Sequence, residues 1–138
     1  HADVAIVVTN PEVSSVRDSD RIIGLLDSKN LRTENSDRME KHLLLTRYDP
    51  TRAERGDMLK VDDVLEILSI PLLGIIPERM DVLKASNLGS PVTLADGTSA
   101  PARAYFDAAR RLKGEALPVT VPGEKRGFFG KIFGRKAA

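Results

Sequence analysis

The chain's 138 residues carry a formal charge of +1, the balance of 21 basic against 20 acidic side chains. It contains no cysteine, which excludes a disulfide-built secreted scaffold and allows a reducing compartment. No apolar run approaches the roughly 20 residues of a spanning helix and no signal-peptide pattern opens the chain, so the expectation is a soluble protein with a surface anchor.

In chain order, Val4-Ala5-Ile6-Val7-Val8 is a short, continuous, β-branched run, the pattern of a strand buried on both faces. Thr9-Asn10-Pro11-Glu12 then reads as a helix start, with an Asn N-cap, Pro in the first turn and an acid near the positive end of the helix dipole. That helix is expected to reach about Ser28, with Val13, Val16, Ile23 and Leu26 on one face. Residues 29–41 are polar and read as a solvated connection. A second strand covers residues 42–47, a long charged loop residues 48–60, and a helix residues 61–68. Residues 70–76 form a third apolar strand closed by Pro77-Glu78, followed by a short helix around residues 80–86 and a Gly/Pro turn at 87–91. The last helix of the body spans residues 101–113, with Ala104, Phe106, Ala108 and Leu112 available for packing.

Strands alternating with helices imply parallel pairing and a sheet covered by helices. Three strands are few for such a sheet, and the chain opens on His1 just ahead of the first strand. The expectation is the C-terminal half of a larger α/β domain over residues 1–113. Residues 114–126, with Gly114, Pro118, Pro122 and Gly123, read as a linker to a terminal tail at 127–138.

The tail has its own character. Three of the four phenylalanines, Phe128, Phe129 and Phe133, fall there. On a helix they share one arc with Ile132, flanked by Arg126 and Arg135, while Lys131 and three glycines face the other way. Aromatic and basic side chains so arranged suit a short amphipathic helix lying in an anionic bilayer interface. Glycine-rich and cationic, the segment makes a poor structural helix but a workable surface-folding one. From Glu124 onward five basic residues oppose one acid, which leaves 16 basic and 19 acidic residues, −3, in the body. A mildly acidic body disfavours nucleic acid as a partner, since its binders usually carry basic charge on the domain itself.

In open α/β sheets, ligands sit beyond the C-terminal ends of strands, which singles out Thr46-Arg47-Tyr48-Asp49-Pro50 and Ile76-Pro77-Glu78-Arg79. By themselves these are ordinary turns. Together with the run from Thr9 through Glu12, Ser15, Asp18 and Asp20 to Arg21, with Arg55-Gly56-Asp57-Met58-Leu59, with Val82-Leu83-Lys84-Ala85-Ser86-Asn87 and with the Gly-Phe-Phe basic tail, they become specific. In that order they closely resemble the MinD family, the deviant Walker-type ATPases of the MinD/ParA superfamily that position the bacterial division septum. The resemblance runs through essentially the whole chain and is interrupted mainly at residues 29–41 and 94–100.

What the resemblance implies is considerable. Members bind ATP and form homodimers around it. They attach to the inner face of the cell membrane through the C-terminal helix, recruit a MinC-type inhibitor and are released when a MinE-type regulator stimulates hydrolysis. By similarity Thr46, Arg47, Pro77 and Glu78 line the adenine pocket, with Arg47 beside the base. Glu12, Ser15, Asp18 and Asp20 lie near the dimer and partner surface, where composition alone sees only a solvated helix face. Arg126, Phe128, Phe129, Lys131, Ile132, Phe133 and Arg135 form the membrane contact.

One departure is large. A phosphate-binding loop needs clustered glycines whose N–H groups converge on phosphate oxygens, and a lysine on the β/γ phosphates. No G-x-x-x-x-G-K-[ST] pattern occurs in the 138 residues. The phosphate loop and the ligands of Mg²⁺ are expected upstream of His1, and this chain alone is not expected to hydrolyse ATP. The two histidines match no metal spacing, no nucleophile arrangement is legible, and the catalytic set is expected to be absent. Two other readings are a partitioning ATPase of the same superfamily and a non-enzymatic, membrane-anchored interaction module.

Overall fold

A computed structural model describes residues 2–30 and 39–124. β1 (Val4–Thr9) leads into α1 (Val13–Asn30), and β2 (Glu40–Tyr48) into α2 (Pro50–Arg55) and α3 (Val61–Leu68). β3 (Leu72–Pro77) is followed by α4 (Met80–Asn87), α5 (Val92–Ala95) and α6 (Ala100–Leu112). The three strands pair in parallel in the order β1-β2-β3.

The sheet's first face is the core. Leu43, Leu45, Val7 and Ile75 meet Val16 and Ile23 of α1 and Val61, Val64 and Leu68 of α3, all buried. On the second face α6 lies so close to β3 that a Cβ on Gly74 would sit 3.1 Å from Ala108 Cβ and 3.4 Å from Leu44 Cδ1. Only glycine lets the helix approach the strand so nearly. β1 receives no such cover: its alternate residues Val4, Ile6 and Val8 stay exposed, although the run reads as doubly buried.

Helix boundaries follow local chemistry. α1 begins at Val13, with the Glu12 carbonyl accepting the Val16 N–H at 2.9 Å, and not at Asn10. Pro11 is held instead in the preceding turn, fully buried, its carbonyl accepting the Leu59 N–H at 3.0 Å. The expected loop over residues 48–60 contains a further helix. Asp49 caps α2 by accepting from Thr51 N at 2.9 Å and Arg52 N at 3.3 Å, Pro50 sits in its first turn, and Gly56 closes it at φ 80°.

On α6 the packing face differs from the expected one. Ala102 and Ala108 are buried, whereas Phe106 and Leu112 are largely exposed. Small side chains face the sheet because Gly74 brings the two backbones together. Residues 117–124 lie back across the body: Val121 is buried in the core and Val119 packs against it. The tail residues Arg126, Phe128, Phe129, Lys131, Ile132, Phe133 and Arg135 lie outside the described residues. Among the described residues no helix is long and apolar enough to cross a membrane.

Candidate functional site

The ends of β2 and β3 bring the four expected nucleotide-side residues together. The β2–β3 register shifts between Leu45 and Tyr48, so Thr46 and Arg47 bulge from the ladder at the strand's C-terminal end. Arg47 adopts φ 57°, a left-handed conformation unusual for a residue with a Cβ. Such a backbone costs about 1–3 kcal/mol and persists where neighbours hold it. Here the Arg47 guanidinium donates to Glu78 Oε1 from Nη2 at 2.9 Å and from Nε at 3.2 Å. The Glu78 N–H in turn donates to the Tyr48 carbonyl at 2.9 Å, which ties the two strand ends directly. Thr46 Oγ1 donates to the Thr9 carbonyl at 3.3 Å and draws in the end of β1.

A cavity of about 340 Å³ opens at this junction. Thr46, Arg47, Pro77 and Glu78 form its rim, and Ile76 and Leu83 its apolar wall. A planar guanidinium above apolar carbon, beside backbone amides, suits an aromatic base. A second cavity, of about 520 Å³, lies across the same Pro77-Glu78 turn and is bounded by residues 48–50 and by Val119, Thr120 and Pro122.

Glu12, Ser15, Asp18 and Asp20 lie on or just before α1. Glu12, Asp18 and Asp20 are exposed and Ser15 is half-buried, with its carbonyl accepting Ser19 Oγ at 2.8 Å. Asp18 pairs with Arg21 at 3.7 Å on an exposed face, an interaction worth little in water. Glu12 is different. Arg52 reaches its carboxylate at 3.6 Å with Nη2 and Glu78 at 3.5 Å with Nη1. The chain of charges Glu12–Arg52–Glu78–Arg47 therefore links the helix surface to the strand-end cavity. Sequence reasoning overlooked Arg52 by treating residues 48–60 as loop, although Asp49-Pro50 and Gly56 are legible helix-capping signals.

Among the described residues no group of three or more His, Asp or Glu side chains converges. The rim residues Thr46, Arg47, Pro77 and Glu78 with the apolar wall suit an aromatic base.

Parallel strands flanked by helices, with loops converging beyond the strands' C-terminal ends, define an open α/β fold whose ligand crevice lies at those ends. No family model matches the chain. The septum site-determining protein MinD of Escherichia coli K12 is 56% identical over 135 residues, covering 96% of the chain and 50% of that protein. The MinC:MinD cell division protein complex of Aquifex aeolicus superposes with a TM-score of 0.76 at 40% identity, covering 87% of the chain and 46% of the other. The septum site-determining protein MinD of Pyrococcus horikoshii, solved with Mg-ADP, gives 0.65 at 26% identity, covering 81% of the chain and 42% of the other. These matches place the chain in the MinD family, and it spans about half the length of the curated relatives it matches.

Proposed function

We propose that this chain supplies the adenine side of the nucleotide site, a dimer and partner face, and the membrane-targeting end of an ATPase that positions the division septum. The observation that carries the reading is Arg47, held at φ 57° by Glu78 at the mouth of an apolar cavity between two strand ends. Backbone strain kept in place by a specific partner is characteristic of ligand sites. Arg47 packs beside the base and main-chain groups around Pro77 read its edge. The phosphates and Mg²⁺ are held by residues outside this chain, in an intact protein about twice its length. The Mg-ADP bound to the Pyrococcus relative supports this ligand class. In the intact protein, Arg47→Ala should weaken ATP binding about tenfold, the loss of one good contact. Unchanged affinity in a fluorescent-nucleotide titration returns Arg47 to an ordinary surface charge.

Glu12, Ser15, Asp18 and Asp20 form the partner face, offered to a second copy of the protein and to regulators of the MinC and MinE type. The MinC:MinD complex of the Aquifex relative supports the first of these. The tail attaches the protein peripherally to anionic lipid on the inner face of the cell membrane. Burying Phe128, Phe129, Phe133 and Ile132 offers about 1.5–3 kcal/mol each, largely offset by the ordering of a glycine-rich segment. One tail therefore holds weakly, and two on an ATP-bound dimer gain avidity of roughly 10²–10⁴. Phe129→Glu or Phe133→Glu should abolish sedimentation with anionic vesicles, and Lys131→Ala should weaken it in a salt-sensitive way. A monomer that binds vesicles as tightly as the dimer would rule out switching by avidity.

A further inference from the structure

Residues 117–124 have the composition of a linker and the anchoring of a structural part. Arg111 of α6 grips their start: Nε donates to the Leu117 carbonyl at 2.8 Å and Nη2 to the Pro118 carbonyl at 2.7 Å. Its Nη1 donates to the Leu73 carbonyl of β3 at 2.9 Å, so one guanidinium fastens the segment to the sheet. Farther along, Val121 is 4% exposed and shares the core with Tyr48. At the end, Gly123 sits at φ 87° against Pro50, where an added Cβ would come within 2.6 Å of Pro50 Cβ and 2.9 Å of its Cγ.

Two of these three anchors fall on the loop that carries Arg47. Tyr48 follows Arg47 directly, is buried in the same core cluster as Val121, and its carbonyl accepts the Glu78 N–H. Pro50 opens α2, from which Arg52 reaches Glu78. Val119, Thr120 and Pro122 complete the wall of the cavity across the Pro77-Glu78 turn. Packed contacts of this kind do not deform smoothly, so a shift of Arg47 and Glu78 onto a base is carried to the segment lying on Tyr48 and Pro50.

We propose that residues 117–124 are a strap that positions the 46–50 loop, so that nucleotide occupancy and the seating of the strap are linked. The inference rests on the nucleotide reading above. The link would set how the basic, Phe-rich end of the chain leaves the body, and linkage makes the effect reciprocal: what loosens the strap also weakens nucleotide binding.

Hydrogen exchange on the wild-type intact protein tests the link, with ADP as the probe so that ATP-driven dimerisation does not intervene. Saturating ADP should slow exchange at residues 119–124 about fivefold or more, while α5 amides are unaffected. Gly123→Ala should weaken ADP binding about fivefold in a fluorescent-nucleotide titration, and Leu88→Ala, on a residue 82% exposed, should not. Identical strap exchange with and without ADP, in a protein that binds ADP, overturns the strap and leaves the nucleotide reading standing. So does a folded Gly123→Ala variant with faster strap exchange and unchanged ADP affinity. If that variant fails to fold, the wild-type comparison decides alone. A wild-type protein that binds no ADP overturns both readings.

Discussion

The two ends of the sheet carry similar sequences and very different surroundings. β3, Leu-Leu-Gly-Ile-Ile-Pro, is buried along its first five residues, with α3 and the core on one face and α6 on the other. β1, Val-Ala-Ile-Val-Val-Thr, buries Val7 and Thr9 against α1 but leaves Val4 40%, Ile6 42% and Val8 57% exposed. A β-branched run announces a strand, but its burial is decided by the layer that lies opposite. The contrast is functional as well. The covered end carries Pro77, Glu78 and the strap; the open end offers an apolar face of the sort that other protein segments occupy.

The sharpest break of this comparison is in the core beneath the covered end. Leu45 is 0% exposed between α1, α3 and β3. Leu45→Ala should cost about 2–5 kcal/mol in urea-unfolding free energy, through lost burial and the cavity left behind. A loss below about 1 kcal/mol would mean that this end is packed no better than the other.

Val8→Ser on the open face should change stability by less than about 0.5 kcal/mol and raise the concentration at which residues 1–113 stay monodisperse in light scattering. Expressed by themselves these residues should be aggregation-prone for the same reason. A stability loss comparable to that of Leu45→Ala would show that the β1 face is covered in solution.

The smallest effect separates the regions by pH. Burial raises the Tyr48 phenol above its ordinary value of about 10, and the carboxylates of Glu124, Asp62, Glu54 and Asp49 push it the same way. The folded state thus favours the neutral phenol. No stability is lost below the unfolded value near 10, and stability falls as pH rises from there through the higher folded value. Tyr48→Phe should flatten the decline of melting temperature above pH 10 and leave its value near pH 7 within a few degrees. Parallel declines in variant and wild type would mean that the ring is more solvated than its burial in the core implies.

Much of the chain was legible because local chemistry agreed with the final packing. β3, α3 and α4 fall within two residues of their expected bounds, since apolar period and turn residues point the same way. α2 was legible and missed: Asp49, Pro50 and Gly56 are capping signals that its six residues obey. That Arg47 and Glu78, 31 residues apart, line one pocket was anticipated through family resemblance, but their ion pair was not, because spacing says nothing of which side chains meet.

By itself the sequence determined the alternation of strands and helices, hence a parallel sheet, because apolar periodicity and caps act within a few residues of one another. It also determined the separate chemistry of a basic, aromatic tail. Only the tertiary structure decided which residues were covered and which loops met. It turned Phe106 outward, left one face of β1 open, drew Gly74 against Ala108 and laid the Gly/Pro-rich 117–124 segment over Tyr48 and Pro50. These are outcomes of burial between elements distant in the chain, and their free energy depends on the surface each meets, which no local pattern encodes.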